Sequence, residues 1–161
     1  MAGAYTGAVQ PGLRFAFPFQ VGFGHCDPAG IVYFPRFFDL FHQAMEAWFG
    51  HLGFPYADLI MGRKLGFPAV HSEADFRRPC AFGERLEVQL SVTRIGRTSL
   101  ELGYRVVDPA APGDSDAHLR LTGATVCVVM NLDPDHPGFQ RSMPLPDDVR
   151  AAVEHLSLIH I

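Results

Sequence analysis

The sequence predicts an α+β fold in which one antiparallel sheet packs around a single long apolar helix. Three observations carry that prediction. Phe15, Phe17, Phe19, Val21 and Phe23 alternate with other residues, which is the period of a strand. Phe37, Phe41, Met45, Trp48 and Leu52 then recur at helical spacing, and Phe38, Ala44 and Phe49 widen that face beyond a narrow stripe. Past Phe67 the pattern returns to strands, and a run of strands after one segregated helix indicates α+β rather than a doubly wound sheet.

Each element can be bounded in turn. A small-residue leader, 1–13, closes at Pro11-Gly12 before the first strand. Gly, Pro and Asp residues mark a turn between Gly24 and Gly30. Pro35 stands where a first helical residue would stand, its missing N–H costing nothing there, and Gly50 and Gly53 mark the far end. A helix apolar over so much of its circumference is expected to be enclosed. A shorter helix is expected over 56–64, then strands over 67–78, 85–95, 99–107 and 118–130. Gly96-Arg97-Thr98 reads as a tight hairpin turn, and 108–116 as a longer exposed loop. Pro144 and Pro146 precede a short amphipathic helix over 147–156. Residues 14–156 thus form one domain, with 157–161 as a tail.

Composition narrows the function classes. At 161 residues and 48% hydrophobic, the chain suits one domain with a full core. Charged residues are 19% and the net charge is −4, so nothing asks for nucleic acid or an anionic membrane as partner. No stretch reaches the ~18 apolar residues of a membrane span, and 1–13 have neither the basic nor the apolar part of a signal peptide. Cys26, Cys80 and Cys127 are dispersed, without a CxxC pair, so neither a disulfide framework nor a zinc knuckle is indicated. The expected setting is reducing and cytoplasmic. Phe occurs 14 times, mostly early in the chain, and that aromatic surplus suits a subunit interface or an acyl pocket.

The chemistry lies in Gly24-His25-Cys26-Asp27-Pro28-Ala29-Gly30-Ile31-Val32-Tyr33-Phe34-Pro35, between the first strand and the apolar helix. A carboxylate there sits near a helix N-terminus, where unpaired N–H groups and the positive end of the dipole gather. Such donors keep a carboxylate ionised and can hold a developing oxyanion, which is often the main source of rate enhancement in acyl transfer. The run Asp-Pro-Ala-Gly-Ile-Val-Tyr-Phe-Pro resembles the signature of the 4-hydroxybenzoyl-CoA thioesterase family, a branch of the hot-dog superfamily. The resemblance extends from Phe15 to Met130 and includes Phe76-Arg77-Arg78-Pro79 and Arg97-Thr98-Ser99.

That resemblance implies a hot-dog fold, a five-stranded antiparallel sheet wrapped around a long central helix. It implies hydrolysis of an acyl-CoA thioester, of an aryl (hydroxybenzoyl-like) or short to medium acyl group. Asp27 matches the catalytic aspartate, acting as nucleophile or as base for water. Phe34 matches the residue whose backbone N–H faces the thioester carbonyl, with Tyr33 beside it as a substrate contact. Arg97, Thr98 and Ser99 match a turn that contacts the coenzyme A part. His42 falls where the hydroxybenzoyl-specific member carries a carboxylate that reads the ring hydroxyl. Two subunits are implied to pair through their sheets as a homodimer or homotetramer, with sites between subunits and no metal or other cofactor.

Other residues have plainer readings. Asp27 alone could simply start a turn; the motif around it argues for chemistry. Cys26 beside His25 is read as packing, since nothing local activates the thiol. His42 and Glu46, four apart, have a spacing open to a metal, but without a third ligand they read as a polar pair at the acyl pocket. Glu73 could reach the site from either subunit. Arg77 and Arg78 read as solvated or interface charges, and Arg97 as the better phosphate partner. The rival functions are a hot-dog hydratase or dehydratase, which would want an Asp/His pair at carbon, and an acyl-CoA-binding module without turnover.

Overall fold

The computed structural model describes residues 4–6, 14–110 and 118–157. Its elements in chain order are β1 (Ala4–Thr6), β2 (Arg14–Gln20), a 3-10 turn (Phe23–His25), α1 (Arg36–His51) and a π-helical turn (Asp58–Gly62). Then come β3 (Leu65–Gly66), β4 (Ala69–Phe76), β5 (Arg85–Ile95), β6 (Ser99–Val107), β7 (Leu119–Val128), β8 (Met130–Asn131) and α2 (Asp147–Ser157). The main sheet is antiparallel in the order β1-β2-β5-β6-β7-β4, and β3 and β8 form a separate two-stranded ladder.

β5 and β6 occupy the residues expected of them, and the turn between them is Gly96-Arg97-Thr98. The expected strand over 67–78 is shorter, starting after Pro68, which has no N–H for the ladder. Pro35 caps α1 rather than opening it, with φ −62° already suited to the helix. The helix expected over 56–64 is shorter and widens into the π-helical turn. Five strands of the sheet are those expected, and β1 adds a sixth that lies within the expected leader. The remaining leader residues, 1–3 and 7–13, fall outside the described residues, as do 111–117 of the expected loop and 158–161 of the expected tail. Among the described residues no helix is long and apolar enough to cross a membrane.

Strand alternation builds the core. Leu86, Val88 and Leu90 of β5, Leu100, Leu102, Tyr104 and Val106 of β6, and Leu121 and Cys127 of β7 point to one face. Against that face α1 buries Phe37, Leu40, Phe41, Ala44, Met45, Trp48 and Phe49. The breadth of this set is that of the apolar face read from the sequence, with Leu40 added and with Phe38 and the C-cap residue Leu52 only partly buried. Truncating any of its buried aromatics to Ala would cost about 3–5 kcal/mol. β4 is different. Apart from half-buried Ala74 all its residues are exposed, and among the described residues it pairs with β7 alone, as a sheet edge.

An ion pair ties the sheet to the segment that positions the motif. Arg120 on β7 donates to both Glu84 oxygens, at 2.7 and 3.1 Å, and to the Pro79 carbonyl. Glu84 also accepts the Ala81 N–H at 2.8 Å. The Arg120 guanidinium holds the Glu84 carboxyl below its ordinary range, with the Ala81 N–H adding to the effect. A lowered folded-state value means a contribution that is complete above the unfolded carboxyl value, about 4.3, and is lost as pH falls through the folded value. We expect Arg120→Met to cost about 1–3 kcal/mol at pH 7 and to weaken the acid limb of the stability curve. Urea unfolding at pH 7 and at successive pH steps below 5 checks both.

Candidate functional site

The motif folds into a small hairpin of its own. Cys26 bridges Val32, the Asp27 N–H donates to the Ile31 carbonyl, and the Gly30 N–H donates to the Asp27 carbonyl, both at 3.0 Å. Asp-Pro-Ala-Gly is therefore a β-turn with Pro28 in its favoured second place. Gly30 has φ +79°, a region costly for a side-chain-bearing residue. The hairpin is strapped to the segment held by Arg120: Val32 N–H to the Cys80 carbonyl, Phe82 N–H to the Gly30 carbonyl, and Ile31 bridging Ala81.

Asp27 is half-buried, and its Oδ1 accepts the Ala29 N–H at 2.8 Å. The turn-forming reading of Asp27 holds, and it uses only part of the carboxylate. One oxygen fixes the turn, and among the described residues the other accepts no hydrogen bond. With Cys26, Phe23 and Phe82, Asp27 lines a cleft of about 390 Å³. Seven residues on, the Phe34 N–H donates to no described group, although its neighbours Tyr33, Arg36 and Phe37 all do. It lies at the entry to α1, where a helix leaves N–H groups without partners. Phe34 itself lines a second cleft with Val32, Phe37, Phe76 and Pro79.

His25 and Cys26 are engaged in the turn. The Gly22 N–H donates to His25 Nδ1 at 2.9 Å, and the Cys26 thiol reaches the Gly22 carbonyl at 3.6 Å, the packing role expected of it. Tyr33 is exposed and meets the Phe34 ring edge-on. The π-helical turn is tied to α2 by Arg63, which donates to both Asp148 oxygens.

His42 lies elsewhere, at the rim of an apolar cavity of about 350 Å³ between α1, β4 and β7. Phe38, Phe41, Tyr56, Phe67 and Tyr104 give it aromatic walls. The His42 ring stands edge-on to Tyr56 and its Nε2 lies 3.8 Å from Glu46, the polar pair expected. Polar lining groups missed by sequence reasoning are Ser72 and Thr125. Burial pushes the Tyr56 phenol up to about 12 and the Cys127 thiol up to about 11, so both groups are neutral at neutral pH. The inward alternation of β6 and β7 is the available signal for these residues.

The remaining candidates do not join Asp27 within one chain. Glu73 is exposed on the β4 edge, 3.6 Å from His71. Arg77 and Arg78 border the Phe34 cleft. Arg97, Thr98 and Ser99 form the turn at the far end of β5, about 30 Å from its start beside the Asp27 hairpin at ~3.3 Å per residue. That turn is held by α2, because Arg150 donates to the Gly96 and Arg97 carbonyls at 2.7 and 3.2 Å. Among the described residues no group of three or more His, Cys, Asp or Glu could hold a metal ion.

The profile of the thioesterase-like superfamily matches residues 21–153. A 1,4-dihydroxy-2-naphthoyl-CoA hydrolase of Synechococcus elongatus is 36% identical over 93 residues, 57% of this chain and 68% of that protein. A solved 1,4-dihydroxy-2-naphthoyl-CoA thioesterase from Synechocystis superposes with TM-score 0.74 at 26% identity, over 87% of this chain and 95% of the other. A solved gentisyl-coenzyme A thioesterase gives 0.72 at 26% identity, over 86% and 98%. The antiparallel sheet with its helix is the hot-dog thioesterase fold.

The hairpin's dependence on Gly30 is measurable. Gly30→Ala should lower the unfolding free energy by about 1–2 kcal/mol through its positive φ. Gly24→Ala, in open space, should stay within about 0.5 kcal/mol. Paired urea unfolding curves decide it.

Proposed function

The chain belongs to the thioesterase-like superfamily and is an acyl-CoA thioester hydrolase, and we propose that Asp27 and the Phe34 N–H are its reacting pair. The observation that carries this is that both present an unused hydrogen-bonding atom from one strapped segment at the start of α1. The thioester oxygen sits on the Phe34 N–H, which stabilises the charge that develops as the carbonyl carbon becomes tetrahedral. Asp27 either bonds to that carbon or takes a proton from the water that does. The C–S bond then breaks, coenzyme A leaves as a thiolate, and in the covalent route water cleaves the acyl-aspartyl intermediate. Neither route transfers electrons, so no redox cofactor enters the proposal, and no metal does.

The acyl group is proposed to be aromatic. Supporting this, the named relatives act on naphthoyl- and gentisyl-coenzyme A, and the apolar cavity has aromatic walls suited to a flat ring. A hydroxybenzoyl ring is the narrower form of the same reading, with His42 at the rim, a donor or acceptor, in place of a carboxylate.

Asp27 and the His42 cavity are brought together, in this proposal, by a second subunit. Two β4 edges pairing antiparallel about a two-fold axis would set the Phe34–Phe76 end of one beside the Ala69–His42 end of the other. Exposed Phe34, Phe76 and Val70 would be covered at once. The sheet then continues across the dimer with α1 at the centre of each half, and the Arg97 turn serves a substrate held by another subunit. Tetramer formation and a cytoplasmic location belong to the same proposal.

Thiol release from a panel of aryl- and alkyl-CoA thioesters tests the chemistry. We expect hydrolysis of aryl thioesters, and a loss of at least about 100-fold in kcat in a folded Asp27→Asn protein. Full activity in that variant would remove Asp27 from the mechanism. For the assembly, Val70→Lys with Phe76→Lys should convert a sedimenting dimer to monomer and abolish turnover together.

A further inference from the structure

Gly123 interrupts the inward face of β7 beneath α1. Its cross-strand neighbours are Tyr104 on β6 and Ala74 on β4. The Phe41 ring covers the gap, stacked on Tyr104 with centroids 4.4 Å apart and planes 5° from parallel. A Cβ at Gly123 would lie 2.5 and 2.6 Å from Phe41 Cε2 and Cζ, and 3.2 Å from the Glu73 carbonyl oxygen. Carbon atoms rest at about 3.5–4.0 Å, so even one methyl group requires the ring to move by about 1 Å.

The direction of that movement matters, because Phe41 and Tyr104 are both walls of the His42 cavity. Phe41 is 2% exposed and closed in by the sheet below and by Phe38, edge-on at 5.9 Å, along the helix. The open side of the ring is the cavity. We propose that Gly123 is a specificity-determining residue: the socket it leaves seats the outer edge of the Phe41 ring against the sheet, parallel to Tyr104, and sets how wide an acyl group the cavity takes. A fused two-ring acyl group needs the seated ring, whereas a single ring tolerates a raised one. This inference rests on the thioesterase reading and adds its width filter.

The test compares wild type, Gly123→Ala, Phe41→Leu and the double variant on 2-naphthoyl-CoA and benzoyl-CoA. The readout is the ratio of kcat/KM for the wide ring over the narrow one. Calorimetric binding of the corresponding non-hydrolysable thioether analogues reads the same preference without turnover. Expected is a fall of at least about tenfold in the ratio for Gly123→Ala, with the ratio restored in the double variant. Phe41→Leu alone should raise it, and that variant keeps the test open if Gly123→Ala fails to fold. A purely structural role would depress both substrates alike and leave the ratio unmoved. An unchanged ratio in folded Gly123→Ala, no restoration in the double variant, or no analogue bound by wild type would overturn the inference. Analogue binding with the expected preference but no thiol release would instead overturn the hydrolase reading alone.

Discussion

The distance at which α1 lies on the sheet governs the rest of the molecule. A helix carrying Phe37, Phe41, Trp48 and Phe49 on its inner side would normally stand off by the width of its aromatic rings. Here the row Ala74, Gly123, Tyr104 across the sheet steps from small to large, and the Phe41 ring drops into the small end and stacks on the large one. That single interlock fixes the height and rotation of α1. The rotation in turn sends Phe38, His42 and Met45 toward β4 and β7, where they roof the apolar cavity. It also bears on where the entry to α1 presents the Phe34 N–H. Packing density in a core leaves no slack for a second solution, so the cavity and the helix entry are set together.

The motif hairpin needs a different kind of support, because it has little core to hold it. Pro28, Ala29 and Gly30 are exposed, and few of the hairpin's side chains reach the interior. Its position comes from backbone bonds to residues 80–82, which are in turn fixed by Arg120 and Glu84. Arg120 stands on β7, the strand that carries the Gly123 socket and Thr125 and Cys127 of the cavity. One strand therefore registers both the polar loop and the apolar chamber. A surface ion pair would be a weak anchor, but this pair is bidentate, partly buried and bonded further to Ala81 and Pro79.

How much of this is legible in the sequence follows the range of the interactions. β5, β6 and the wide face of α1 are readable because alternation and helical spacing are local, and burial on one face leaves a mark every second or fourth residue. The turn at Asp27 is readable from Asp-Pro-Ala-Gly for the same reason. β1 is not, since three residues with no apolar pattern carry no period. The β3–β8 ladder is not, since each strand has two residues and the partners are far apart in the chain. Of the candidate residues, Asp27 and Phe34 are named by the motif's resemblance, and His42 by the same resemblance carried along α1. Tyr104, Thr125 and Cys127 escape sequence reasoning because only the sheet order brings β6 and β7 under α1. Gly123 does leave a trace, as a glycine at an inward position of a strand, which signals close approach without naming what approaches.

The proposed division of the site between the two ends of β4 has an energetic logic. An oxyanion is held best by a donor withdrawn from water, yet in one chain Phe34 is 57% exposed and its N–H has no partner among the described residues. Seating that N–H in a buried position of the same chain would leave an unsatisfied donor at a cost of about 1–3 kcal/mol. In the proposed pairing the donor stays solvated until a partner and a substrate arrive together. The partner's cavity supplies the apolar surroundings and the thioester supplies the acceptor. The exposed rings of Phe34 and Phe76 become covered in the same step, so the apolar burial that drives association also dries the reacting carbonyl. The proposed pairing would keep electrostatic catalysis dependent on assembly, with Asp27 on the wet side, where water for the hydrolysis can reach it.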